Sequence, residues 1–389
     1  MSGPATYSTG VVSSGFEPVR ERFEEFLAED ERFSAQIVAL WRGRPIVDLA
    51  GGPHLDRYSI SGVFSVSKGV AAVVLALLIE DGRLDLDEPV VRYWPEFGAQ
   101  GKSEILVREL LSHQAGLVNL VDPLTGKELV DSSLAASRLA KGRPLWTPGG
   151  TFGYHGITVG VFMEELVRRI TGRTLQDIYE ADVRAPRNID FYLGLPEFEE
   201  KRFCAVLPME PTETQRQELE ASGALPDGLM AAAFDGLPGG GSAVAAVLPQ
   251  TRAARVAGVA SVGGVGSARG IASVYSAVLG YNGERLLSDE TVAAITMEQV
   301  SGTDRVLDMS MAFATVFMKP QPRIPFGSYR AFGHDGAGGA LGFADPMYDL
   351  AFGYIPMPMQ YPGGADHKAV ELSILIRKCI SESVIASER

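Results

Sequence analysis

The sequence predicts an α+β protein: an antiparallel sheet flanked by helices and built from both chain ends, with an all-helical domain inserted between them. Three observations lead there. Short strand patterns fill residues 36–50, similar ones return after residue 311, and the stretch between carries mostly helical spacing. The expected division is a discontinuous α/β domain of residues 1–80 and 305–389 around a mainly helical domain of 81–304.

Phe16 to Glu29 places Phe16, Val19, Phe23 and Leu27 at three- to four-residue spacing, an amphipathic helix. Gln36–Trp41 and Arg44–Ala50 read as two strands joined at Arg42-Gly43. The apolar run Val70 to Ile79 reads as a buried central helix that opens near Ser65 and stops at Asp81-Gly82. Helical patterns follow at Val107–Leu111, Leu134–Ala140, Thr158–Thr171 and Ala268–Leu279. Leu195 to Gly241 is rich in Pro, Glu and Gly and weakly periodic, so it reads as a surface excursion and a candidate cap over the site. Late strands are expected at Met311–Met318, Tyr329–Phe332, Gly339–Ala344 and Leu350–Ile355, and a last helix at Asp366–Ala386 with Ala369, Leu372, Leu375 and Ile376 on one side.

Composition excludes several classes. Hydrophobic residues make up 46% and charged residues 21% of the 389, the balance of a chain with a sizeable core. A net charge of −13 and scattered Lys and Arg argue against nucleic acid or an anionic membrane as partner. The longest apolar run is too short to span a bilayer, and Met1–Gly10 lacks the pattern of a secretory signal, which points to the cytoplasm. The two cysteines, Cys204 and Cys379, do not make a disulfide framework. The five histidines show no metal-binding spacing, and no Gly-x-Ser-x-Gly elbow, Walker loop or dinucleotide fingerprint occurs. No metal and no cofactor is expected, and oligomeric state is not legible.

Ser65-Val66-Ser67-Lys68 carries the chemistry. At the start of a helix, Ser65 and Lys68 share one face and can touch. A serine hydroxyl is a weak nucleophile until a base takes its proton. An amine can do so only when neutral, which burial beside an apolar core promotes. The competing reading is a capping serine followed by a surface lysine, with Ser61 and Ser67 as neighbouring alternatives.

Three more segments weigh on the choice: Leu110–Leu117 with Ser112-His113; Trp146–Gly156 with Tyr154-His155-Gly156; and Phe332–Gly339 with His334-Asp335-Gly336. Their order and spacing resemble the serine β-lactamase and penicillin-binding superfamily, most closely its class C β-lactamase-like carboxylesterases of the family VIII type. The resemblance spans roughly residues 16 to 380 and implies a β-lactamase/transpeptidase-like fold. Of that family's motifs, Ser-x-x-Lys is matched in full by Ser65 and Lys68. Tyr-x-Asn is matched only at Tyr154, and Lys-Thr-Gly only at Gly336.

The resemblance implies that Ser65 attacks an ester carbonyl while Lys68 and Tyr154 share the general-base role. The oxyanion hole would come from the backbone N–H groups of Ser65 and Ala337. His334, Asp335, Gly336 and His155 are the candidate substrate-binding residues: His334 either contacts substrate, tunes the site as a cation, or is merely positional, and His155 either bonds Tyr154 or faces solvent. Tyr154 could instead be a packed aromatic, and His113 is read as structural.

Loss of the third motif's lysine and threonine favours a small neutral ester, which makes the expected protein a serine carboxylesterase. The alternatives are a β-lactamase or D-amino-acid peptidase or amidase, an acyltransferase to an alcohol acceptor, and a non-enzymatic scaffold relative.

Overall fold

The apolar runs near both termini assemble into one sheet. The computed structural model describes residues 8–119, 131–221, 228–235 and 250–387. Its strands are β1 (Thr9–Val12), β2 (Ser34–Trp41), β3 (Arg44–Gly51), β4 (Ser61–Gly62), β5 (Phe191–Tyr192), β6 (Val265–Gly266), β7 (Val300–Asp304), β8 (Met309–Phe313), β9 (Phe332–Asp335), β10 (Leu341–Asp345) and β11 (Leu350–Met357). A six-stranded antiparallel sheet has the order β1-β3-β2-β11-β10-β9, so the early and late strands meet where β2 pairs with β11. The β2–β3 turn holds Arg42 at φ 50° and Gly43 at φ 73°, the left-handed pair that matches the twist of a two-residue hairpin. A small sheet orders β4-β6-β5, and β7 pairs with β8.

Helices cover both faces of the large sheet. We label α1 (Glu17–Glu29), α2 (Val66–Glu80), α3 (Val107–Leu111), α4 (Ser132–Lys141), α5 (Thr158–Thr171), α6 (Ala268–Val278) and α7 (His367–Ser387). Consecutive residues of β11 show the two faces. Gly353 lies against α6, where a Cβ would meet the Ala268 carbonyl oxygen at 2.1 Å, while the Tyr354 hydroxyl donates to Asp366 at the start of α7 (2.7 Å). The glycine is required there because helix and strand approach backbone to backbone. α1 packs beside α7, and its buried Val19, Phe23 and Leu27 are the stripe that its spacing predicts, with Phe26 buried alongside.

α2 is the helix that matters for function. Every residue from Val66 to Ala76 is buried, and the helix packs against α5, β9 and the helix Asp289–Thr296. Val70, Val73, Val74 and Leu75 each contribute roughly 1.5–3 kcal/mol by leaving water. Asp81 and Gly82 close it as expected, with Gly82 at φ 66°.

Two late strands differ from expectation. The Met311–Met318 pattern is a continuous strand only to Phe313, and after a break Met318 bridges Gly333 of β9. Val316 then adopts φ 70° and its N–H donates to the Leu111 carbonyl, so tertiary contact overrides an apolar strand signal. Tyr329 is 79% exposed in a turn closed by Ala331 N–H to the Ser328 carbonyl, and the strand begins only at Phe332. The short edge strand β1, the two-residue strands β4, β5 and β6, and strand β7 carry no clear pattern in the sequence.

Within Leu195–Gly241, the described parts are a short 3-10 helix Glu197–Arg202 and helices Glu213–Ala221 and Leu229–Asp235. Residues 222–227 and 236–241 lie outside the described residues. α6, sequentially inside the 81–304 stretch, rests on the large sheet. No helix among the described residues is long and apolar enough to cross a membrane.

Candidate active site

The chain enters α2 through a left-handed residue, Phe64 at φ 49°, buried and bulky, a conformation such a side chain takes only when its surroundings enforce it. Ser67 supplies part of the enforcement: its hydroxyl donates to the Phe64 carbonyl and accepts the Gly264 N–H (2.8 Å). Ser61 donates to the Cys204 carbonyl (3.0 Å). Both neighbouring serines are thereby engaged, and Ser65 is left as the serine facing Lys68.

Lys68 Nζ lies 2.8 Å from Ser65 Oγ and 2.8 Å from the Ser261 carbonyl oxygen, and the lysine is 0% exposed. Burial pushes its pKa down to about 7, against an opposing pull from Asp335. The Tyr154 hydroxyl donates to Ser65 Oγ (3.0 Å). Burial holds that phenol well above its ordinary range, so at neutral pH it carries its proton. The Tyr154 ring stacks on Phe313 (centroids 6.0 Å apart, planes at 12°) and meets Phe234 of the surface excursion at 6.3 Å.

The histidines depart from expectation. His155 accepts the Leu117 N–H at Nε2 (3.0 Å), while its Nδ1 lies 2.7 Å from the Gly153 carbonyl oxygen and so carries the proton. Both ring nitrogens are spent on backbone and the residue is fully buried, so it neither bonds Tyr154, faces solvent nor offers a substrate contact. Burial lowers its pKa to about 4.

His334 lies in β9 with Nδ1 2.8 Å from the Asp335 carbonyl oxygen; its buried Nε2 has no hydrogen-bond partner among the described residues. Burial lowers its pKa despite Asp335, which disfavours the imidazolium that the expected tuning role needs. The Asp335 carboxylate accepts the Ala365 N–H (2.9 Å). Burial pushes its pKa up, but the hydrogen bonds from His334 and the Ala365 N–H, with the Arg323 guanidinium, outweigh this and hold it below the usual range.

Gly336 donates to the Ala340 carbonyl (2.9 Å), and a Cβ on it would meet the Val63 carbonyl oxygen at 2.3 Å. The β9–β10 turn thus lies directly on the backbone leading to Ser65. Neither the Ser65 nor the Ala337 N–H donates a hydrogen bond among the described residues, and Ala337 is exposed.

Sequence reading missed Ser261, which acts through its carbonyl and so leaves no residue-type signal, and Asp304, a lone acid at the end of a strand. His113 was visible in its motif but read as structural only. Among the described residues no group of three or more His, Cys, Asp or Glu is arranged to hold a metal. A groove of about 920 Å³ lined by Val278, Val292, Met297, Lys319 and Tyr329 contains none of Ser65, Lys68 or Tyr154, so chemistry rather than volume locates the candidate site.

The family described as "Beta-lactamase" matches residues 19–365. The chain belongs to the β-lactamase family. Within it, this β-lactamase-family chain is 31% identical over 336 residues to "Esterase/beta-lactamase LipL" of Mycobacterium tuberculosis, covering 82% of this chain and 73% of that protein. Among solved structures it is similar to EstA from Arthrobacter nitroguajacolicus Rue61a (47% identity, TM-score 0.88, 96% of this chain and 98% of that one). It is also similar to a family VIII carboxylesterase (29% identity, TM-score 0.85, 96% and 99%). The sheet order and flanking helices described above are those of a β-lactamase/transpeptidase fold.

Proposed function

We propose that this protein is a serine carboxylesterase that hydrolyses small neutral esters through a covalent acyl-enzyme on Ser65. The observation that carries the reading is the hydroxyl of Ser65 held between Lys68 Nζ at 2.8 Å and the Tyr154 hydroxyl at 3.0 Å. Neutral Lys68 takes the Ser65 proton as Oγ bonds to the carbonyl carbon. The carbonyl π pair moves onto oxygen and is met by the N–H groups of Ser65 and Ala337. On collapse, the C–O bond to the alcohol breaks, Tyr154 gives its proton to the departing oxygen, and the Lys68 ammonium restores the phenol. Water in the alcohol's place then runs the steps in reverse: its proton passes through Tyr154 to Lys68, and Ser65 leaves with the Lys68 proton. Tyr154 serves here as proton donor and relay, because burial keeps it protonated, and Lys68 as the base.

Support for an ester comes from the names of the relatives and from the third motif. His334 occupies the place of a lysine, is buried, and is disfavoured as a cation, so a substrate carboxylate finds no positive partner there. A second reading, β-lactam hydrolysis, draws on the double name of the LipL relative. We further propose a two-part organisation with the 81–304 stretch around the sheet, and a cytoplasmic location.

Intact-mass spectrometry after exposure to short aryl esters tests the proposal. An acyl adduct mapped to Ser65 and lost in Ser65→Ala is expected. An adduct elsewhere, or turnover of a chromogenic cephalosporin at rates matching the aryl ester, contradicts it.

A further inference from the structure

The inference rests on Tyr154 as proton donor to the leaving alcohol, a role that needs the tyrosine held in place. Three consecutive amides around it are each tied to another part of the chain. The Gly153 N–H donates to the His113 carbonyl (3.0 Å), the Tyr154 N–H to Asp304 Oδ1 (3.1 Å), and the His155 N–H to His113 Nδ1 (3.1 Å). His113 therefore grips both neighbours of Tyr154 with two different atoms, from a left-handed conformation at φ 67°. To accept at Nδ1 its imidazole must be neutral with the proton on Nε2. Its ring meets Phe313 edge-on at 4.5 Å, and Phe313 in turn stacks on Tyr154.

Asp304 is fully buried at the end of β7. Its Oδ1 also accepts the Val306 and Leu307 N–H groups (2.8 and 2.9 Å), while Oδ2 has no hydrogen-bond partner among the described residues. A buried carboxylate with an unpaired oxygen costs stability and calls for a reason beyond closing a turn.

We infer that His113 and Asp304 are positioning residues for Tyr154, together fixing the backbone that aims its hydroxyl at Ser65 Oγ and at the departing oxygen. A proton donor must sit within hydrogen-bond reach of the atom it serves, and a displacement of about 1 Å can cost roughly 10²-fold in rate.

The test compares two esters of one acid, p-nitrophenyl acetate and ethyl acetate, by kcat/KM, which reports acylation. A nitrophenolate departs without a proton and an ethoxide does not, so a misplaced donor slows the ethyl ester selectively. A merely structural role slows both alike. The variants are Tyr154→Phe, His113→Phe, His113→Asn, Asp304→Ala and Asp304→Asn. His113→Phe keeps a ring against Phe313 and loses the acceptor; the two asparagine variants keep an acceptor, and Asn tolerates φ 67°.

Tyr154→Phe is expected to be ester-selective. His113→Phe and Asp304→Ala should lower the ethyl-to-aryl ratio about tenfold or more, with the asparagine variants recovering most of it. If Tyr154→Phe slows both esters equally, the reading of the tyrosine fails. If Tyr154→Phe is selective but folded His113→Phe and Asp304→Ala are not, the positioning role is overturned. Should those two fail to fold, the asparagine variants must still show a smaller shift of the same sign, and an unchanged ratio overturns the inference.

Discussion

Lys68 Nζ stands 2.8 Å from Ser65 Oγ while the lysine is wholly withdrawn from water. Contact and desolvation act together here. One places an acceptor at the hydroxyl; the other weakens the lysine's hold on its own proton, down to a pKa of about 7. A lysine at the same distance in water would stay charged and could only donate.

The buried lysine leaves a mark on stability. An unfolded chain keeps the Lys68 proton up to about pH 10.4, whereas the folded chain releases it near 7. Between these values the unfolded state binds more protons, so this group's contribution to stability rises with pH across that window. Lys68→Met, similar in length and uncharged, is expected to raise Tm by more at about pH 6 than at about pH 9. Thermal melts check it, and an equal shift at both pH values contradicts the lowered pKa.

Tyr154→Phe removes the hydroxyl 3.0 Å from Ser65 and leaves the stacking on Phe313. Turnover of a short ester should fall about 10²-fold or more with Tm little changed. Because burial raises the phenol's pKa, wild-type activity should show no alkaline loss from Tyr154 up to about pH 9. Steady-state assays measure both effects, and full activity in the variant removes the tyrosine from the proton path.

Gly336→Ala drives a methyl toward the Val63 carbonyl oxygen, 2.3 Å from an ideal Cβ, which must push the β9–β10 turn away from the segment bearing Ser65. The Ala337 N–H moves with that turn. The expected result is a drop in kcat of roughly tenfold or more, since oxyanion donors act on the transition state. Esterase kinetics on the folded variant decide it, and unchanged kcat argues against Ala337 as an oxyanion donor.

His155→Ala strips a partner from the Leu117 N–H and the Gly153 carbonyl, both buried with the histidine. Each orphaned group costs roughly 1–3 kcal/mol, so denaturant melts should show a clearly lower midpoint. A variant as stable as wild type contradicts the strapping role given to His155.

Legibility in the sequence follows the range of the forces involved. Helices α1, α2 and α5 and the β2–β3 hairpin are local patterns with local stops, and they appear within a residue or two of where spacing places them. Met311–Met318 fails because the Val316 N–H finds the Leu111 carbonyl, some two hundred residues away in sequence, and Tyr329–Phe332 fails because Ser328 starts a turn. The site divides the same way. Ser65 and Lys68 lie one helical turn apart and can be read together, and Tyr154 joins them through the motif it resembles. Ser261 contributes a carbonyl that any residue could supply, and Asp304 reaches Tyr154 from another strand. His155 looked available because its neighbour was informative, and only tertiary contacts reveal that both its nitrogens are taken.

The central claim is that an uncharged Lys68 deprotonates Ser65, and single-turnover acylation by a chromogenic ester as a function of pH tests it most directly. The rate should climb with rising pH through a midpoint near 7 as Lys68 sheds its proton, then level off. A rate that stays flat from about pH 5 to 10, or that falls across the neutral range, would contradict it.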